Sequence, residues 1–219
     1  MIGSPEVNKA IRHHLSPVLR QHGFGKVQTR LNWGWHGPCT WVLVIRAVGG
    51  YFAGVTGWPS MSIEVQLGVW YDFIPLDFSG AIRLSPDGKP LPRDHECQQR
   101  SHLDIGLDQR QHTRQLKSLA EQVRTDLWWV EPDGNNIGVV VQDIKEQFLV
   151  AGLPWFERMI DILEVYSEVK NEHDCFNKFS RAAYLAKYLE LDEEHQAFRS
   201  KMEHEAHRIG KTDWLALYP

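Results

Sequence analysis

From Ser62 to Val69 the chain alternates without a break, with Ile63, Val65, Leu67 and Val69 on one side and Ser62, Glu64, Gln66 and Gly68 on the other. Successive side chains of a strand point to opposite faces, so this segment reads as a strand in a sheet with one buried face. A second layer must cover that face. Two more β-rich runs, 26–33 and 39–48, precede it, and the three are separated by Gly34, Gly37-Pro38, Gly49-Gly50 and Trp58-Pro59. A fourth strand is expected over 96–103, after a long turn-rich loop over 75–94 that contains Ser85-Pro86-Asp87-Gly88.

Helical spacing flanks these runs. Ser4-Pro5-Glu6 has the residue types of a helix start, and Val7, Ile11, Leu15 and Leu19 follow at helical intervals. Pro17 predicts a kink or a restart capped by Ser16, and Gly23 predicts the end, with Phe24 folding back as an anchor. A helix over 109–127 is expected from Leu116, Leu119, Ala120, Val123 and Leu127, and a short strand over 137–141 merging into a helix that ends near Gly152. Beyond Leu153-Pro154-Trp155 two or three antiparallel helices are expected. The fold class is therefore α+β: a mainly antiparallel sheet of about four strands packed by helices in a body over 1–152, with a helical C-terminal extension over 153–219.

A chain of 219 residues removes roughly 70 to 75% of its unfolded surface from water and needs no disulfide or metal to be stable. The longest apolar run, Trp41 to Ile45, is far too short for a membrane span. The N-terminus has no secretory apolar core, and three widely spaced cysteines, Cys39, Cys97 and Cys175, suit a reducing compartment, so a cytoplasmic location is expected. A net charge of -4 gives no global attraction to nucleic acid.

The order of several short motifs is familiar: a helix ending Leu-x-x-x-Gly-Phe (Leu19 to Phe24), Gln-Leu-Gly-Val in a strand (Gln66 to Val69), Cys-x-x-Arg (Cys97 to Arg100) and Leu-Pro-Trp-Phe opening a helix (Leu153 to Phe156). In that order the chain resembles the DUF4304 family of bacterial proteins, departing from it at Gln98 and His102. The resemblance implies an α+β domain with a helical C-terminal extension, and no substrate.

Several features could carry function. Glu157, Asp161, Glu164, Glu168 and Glu172 recur at spacings of three and four. On one helix after Pro154 they would form an acidic ridge opposite Phe156, Ile160 and Leu163, at a repulsive cost of roughly 1 kcal/mol that a basic partner would relieve. Seven of the nine tryptophans precede residue 130. Trp41 and Trp70 sit in apolar runs and read as core, whereas Trp33, Trp35 and Trp58 stand at strand ends, where they could form part of a binding surface. Arg110, Arg114, Lys117 and Arg124 would make a basic stripe on the 109–127 helix, though such a helix must place charges outward in any case.

Catalytic signatures are lacking. His95, Cys97 and His102 fit no standard zinc spacing, and on one strand His102 would face away from the other two. His204 and His207 are three apart, where a metalloprotease helix needs four. No nucleophile elbow, phosphate loop or dinucleotide fingerprint occurs. The expectation is a non-catalytic cytoplasmic protein-binding domain, of the immunity or antitoxin type, that engages a basic partner such as a toxin through its acidic helical face. It needs no cofactor. The alternative is a metal-assisted hydrolase or nuclease using Glu64, Asp72 or Asp77 near strand ends.

Overall fold

The computed structural model describes residues 3–76 and 81–218. Helix α1 (Ser4–His14) starts with Pro5 in its first turn, and the Glu6 carboxylate reaches back to the Gly3 amide at 3.0 Å. Gly3, not Ser4, is the capping residue. Helix α2 (Ser16–Gln21) restarts at Pro17 as the sequence predicts, but Ser16 does not cap it. Gly23 (φ +89°) then turns the chain in the left-handed region, and the Phe24 amide closes on the Leu19 carbonyl at 3.0 Å. Phe24 is buried against Trp41, Phe148 and Phe156, with ring centroids 5.9, 6.0 and 5.6 Å away.

Among the described residues the sheet has six strands: β1 (Lys26–Gln28), β2 (Leu31–His36), β3 (Cys39–Ala47), β4 (Ile63–Tyr71), β5 (Gln99–His102) and β6 (Leu127–Trp128). All pairings are antiparallel, in the order β1-β2-β3-β4, and β5 and β6 both line the far side of β4. Two strands beyond the expected four arise for different reasons. The 26–33 run is folded into a tight hairpin around Thr29 (φ +60°), and Leu127 and Trp128 form a strand where a helix end was expected.

The alternation in β4 holds. Ile63, Val65, Leu67, Val69 and Tyr71 join Trp41, Leu43 and Ile45 of β3 in one core with residues of α1, α6 (Ile137–Gln147), α7 (Leu153–Arg158), α8 (Ile162–Lys170), α9 (Phe176–Tyr188) and α10 (Asp192–Arg208). Burying each such aliphatic or aromatic side chain contributes roughly 1.5 to 3 kcal/mol. The helical extension thus shares its core with the strands. The Tyr71 hydroxyl donates to the Met159 carbonyl at 2.9 Å across that junction.

The other sheet face is covered too, contrary to expectation. Segment 81–97 crosses it, and Trp33, Val42, Leu91 and Cys97 form a second small core flanked by Trp35 and Trp70. The indole of Trp33 donates to the Pro92 carbonyl at 2.8 Å, and that of Trp35 to Pro90 at 2.9 Å. Gly68 lies under this strap, where an added Cβ would meet Cys97 Sγ at 2.7 Å.

Three helical expectations fail. Gly50–Thr56 (α3) is a helix where a glycine-rich turn was expected, ended by Gly57 at φ +90°. The single helix expected over 109–127 is instead two one-turn helices, α4 (Arg110–Thr113) and α5 (Leu119–Gln122), the second capped by the Ser118 hydroxyl. Of the expected apolar stripe only Leu116 and Leu127 are buried, and they pack with Trp58 and Trp129 in a third cluster. Gln109 closes the base of this excursion, donating to the Leu127 carbonyl at 2.8 Å and accepting from the Trp129 amide at 3.0 Å. The expected strand over 137–141 is the start of α6, because Val140, Val141, Ile144 and Phe148 share one helical side.

In α6 the buried Asp143 accepts from Trp128 Nε1 at 2.7 Å and from the Gly106 amide at 3.0 Å. A π-helical turn, Phe148–Gly152, joins α6 to α7, and a 3-10 turn, Thr212–Leu217, ends the chain against α10. Among the described residues no helix is long and apolar enough to cross a membrane.

Candidate functional site

The acidic ridge needs one continuous helix from Pro154 to Glu172, and the chain forms two. Helix α7 stops at Arg158 and α8 starts at Ile162, with Asp161 as its N-cap accepting from the Leu163 and Glu164 amides at 3.0 and 3.1 Å. Asp161 is therefore committed to the backbone. Arg158 lies 3.7 Å from Glu164 and 3.1 Å from Glu168, and Arg181 pairs with Glu172. Glu157 alone of the five has no ion pair or capping bond among the described residues. The ridge is thus a corner with internal compensation.

The break also reverses the apolar side. Phe156 is buried as expected, but Ile160 and Leu163 are 38% and 62% exposed, while Met159, Ile162, Val165, Tyr166 and Val169 fill the core. The α7–α8 corner therefore presents two large aliphatic side chains among Glu157, Asp161 and Glu164. Residues 153–219 hold thirteen acids against nine Lys and Arg, whereas 1–152 holds fifteen of each. The whole net charge of -4 belongs to the helical side of the molecule.

The strand-end tryptophans do not form a surface. Trp33 and Trp58 are fully buried and Trp35 is half-buried. The strap over the sheet covers the first and third of these, and Trp58 is enclosed by the 116–129 region, its Nε1 donating to Glu121 at 2.7 Å. Strand-end position failed as a guide to exposure because long loops fold back over both ends.

The basic stripe is likewise dispersed. Arg110 is held by Asp108, and Arg124 pairs with Asp126 at 2.7 Å and lies 3.7 Å from Glu64, which also faces Arg46 at 3.6 Å. The Arg124 pairing lowers the pKa of Asp126 below the usual carboxylate range. Arg114 and Lys117 stay exposed and form no ion pair among the described residues.

Glu64 and Asp72, named for the alternative reading, are not brought together among the described residues. Glu64 is spent in the Arg46–Arg124 network, and Asp72 lies past the other end of β4, eight residues away, or roughly 26 Å along an extended strand. Asp77 lies outside the described residues. Among the described residues no group of three or more His, Cys, Asp or Glu is arranged to hold a metal. Glu205, between His204 and His207, is taken by Arg208 at 2.6 Å. Burial pushes the Cys39 thiol up to about 12, with the Asp72 charge adding to the effect, and lifts Cys97 well above its ordinary value, so both are inert as nucleophiles near neutral pH.

One concave site was not legible in the sequence. A cleft of about 370 Å³ separates the outer edge of β5 from the first turns of α9. Its walls include His95, Gln99 and Arg100 on one side and Glu172, Asn177 and Arg181 on the other. Arg181 is fixed in place: its guanidinium pairs with Glu172 and donates to the carbonyls of Gln98 at 3.2 Å and Asn177 at 3.3 Å. His95, Arg100 and Glu172 each stood in a separate sequence pattern, but no pattern joined them, because they are brought together from segments about 80 positions apart.

No protein-family model, curated protein or solved structure matches the chain.

Proposed function

We propose that the chain is a non-catalytic protein-binding domain that engages a basic protein through the α7–α8 corner. The observation that carries this reading is the exposure of Leu163 and Ile160, 62% and 38%, within an acidic surround. Protein interfaces have this anatomy, an apolar centre that is desolvated on contact inside a charged rim that steers and orients the partner. Glu157 is free to pair outward, and Glu164 and Glu168 share a single arginine, so the corner keeps a negative surplus. The location of the net charge supports the same polarity of partner. An immunity protein or antitoxin that neutralises a basic toxin would use a surface of this kind.

The test is co-expression with the products of neighbouring genes that have a basic isoelectric point. A basic neighbour should co-purify in stoichiometric amount. Leu163→Asp should abolish capture, and Glu157→Lys with Glu164→Lys should weaken it by about tenfold and flatten its salt dependence. Capture that survives both changes would remove the α7–α8 corner from the interface.

A further inference from the structure

The cleft beside β5 has two properties that together select a ligand class, and its walls include none of Glu157, Ile160, Asp161, Leu163 and Glu164 of the α7–α8 corner. The first is an open sheet edge. The Leu103 amide bonds to the Val65 carbonyl, so position 103 faces β4, and by the alternation of an antiparallel ladder so do the backbone groups of Ser101 and Gln99. The amides and carbonyls of Gln98, Arg100 and His102 then point away from the sheet. The Gln98 carbonyl bears this out, since it is taken by Arg181 across the cleft. Arg100, next along the edge, lines the cleft with its outward backbone groups available to an added strand.

The second property is a guanidinium without an internal partner, on a wall that carries two arginines and two acids. Both acids of the wall are engaged internally: Glu172 by Arg181, and Glu96 by the Arg93 amide at 2.6 Å. Arg100 is exposed and has no ion pair among the described residues. Arg181 is held in one orientation by its three acceptors, which lowers the entropy a ligand would lose in using its remaining N–H groups. A polar cleft with a preset guanidinium, a free arginine and an unpaired strand edge has the elements of peptide capture by strand addition.

We infer that this cleft binds an acidic peptide segment in extended conformation, paired to the outer edge of β5 with a carboxylate directed at Arg100 and Arg181. Backbone pairing supplies a general anchor and the two guanidinium groups select negative charge. A small carboxylate or phosphate could satisfy the arginines but not the edge, and this difference sets the experiment.

The probe is a fluorescein-labelled peptide of alternating Glu and Val with a free carboxyl terminus, titrated by anisotropy against the whole chain. Comparison ligands are the same peptide N-methylated at alternate amides, glutarate and inorganic phosphate. The inference expects saturable binding of the parent peptide, a loss of about tenfold or more on N-methylation and on Arg100→Glu, and no displacement by equimolar glutarate or phosphate. Arg100 is exposed and unpaired, so its variant should keep the wild-type circular dichroism spectrum. If it does not fold, Asn177→Asp on the opposite wall carries the same expectation. Equal affinity for the N-methylated peptide, or displacement by either small anion, would make this a small-anion site and overturn strand addition. Absence of parent-peptide binding, or binding that neither variant weakens, would overturn the inference as a whole.

Discussion

Asp143 offers a direct test of how the sheet is joined to α6. Its carboxylate is buried and accepts from two donors of very different surroundings, the fully buried Trp128 indole at 2.7 Å and the exposed Gly106 amide at 3.0 Å. Asp143→Ala strands the first donor in a dry interior, which costs about 1 to 3 kcal/mol. The Gly106 amide can turn to water, so its loss adds only about 0.5 to 1.5 kcal/mol, the net value of a typical hydrogen bond. The expected destabilisation is therefore about 3 kcal/mol. Urea unfolding followed by far-ultraviolet circular dichroism measures it, with the slope checked for constancy. Trp128→Phe supplies the decisive control, because it removes the donor that Asp143→Ala would strand. In that background Asp143→Ala should cost about 1 to 2 kcal/mol less, a coupling of the size contacting residues show. A cost below about 1 kcal/mol in the wild type, or equal costs in both backgrounds, would refute the claim that the buried indole bond holds β6 to α6.

Gly68→Ala places a Cβ 2.7 Å from Cys97 Sγ and 3.0 Å from its Cβ, so thermal or urea unfolding should show a loss of about 1 to 3 kcal/mol. Adding Cys97→Ala removes the shorter contact and should return part of that loss. In the native protein a thiol reagent such as DTNB should titrate Cys175 alone, and all three cysteines in urea, because Cys39 and Cys97 are buried. Since burial raises the folded-state pKa of Cys39 to about 12, its contribution is complete below its unfolded pKa and is lost as pH rises toward the folded value. The urea midpoint should fall between about pH 8.5 and 10.5, more shallowly in Cys39→Ala.

What the sequence revealed follows from how local each signal is. The restart at Pro17, the left-handed Gly23 and the one-sided alternation of β4 depend on a few neighbours and reappear in the structure. The 109–127 helix was misread because Leu116 and Leu127 fall on a helical period and are buried in one cluster, yet the chain between them is not one helix and leaves Leu119 and Val123 exposed. The acidic ridge failed for a reason visible in hindsight: Asp161 followed three residues later by Glu164 has the pattern of a helix start, and a start at that point divides the five acids. Exposure of Ile160 and Leu163 follows from the same break. The fate of Trp33 and Trp35 depended on where the segment 81–97 settles, which spacing does not encode. Arg181 and Arg100 line one cleft only through tertiary packing, so no local pattern placed them together.

The double hold of Gln109 on Leu127 and Trp129 makes the region between them a closed excursion. Its two ends are fastened to one another, and within it Leu116, Glu121 and Arg124 reach back to Trp58 and to Glu64 of β4. Lengthening such a closed excursion costs only about 0.6 kcal/mol for each doubling of its length. The exposed stretch 117–120, between those contacts, is thus the part of this excursion most open to insertion: a place where evolution, or an engineer, could graft a foreign segment while β6, α6 and the core stay as they are.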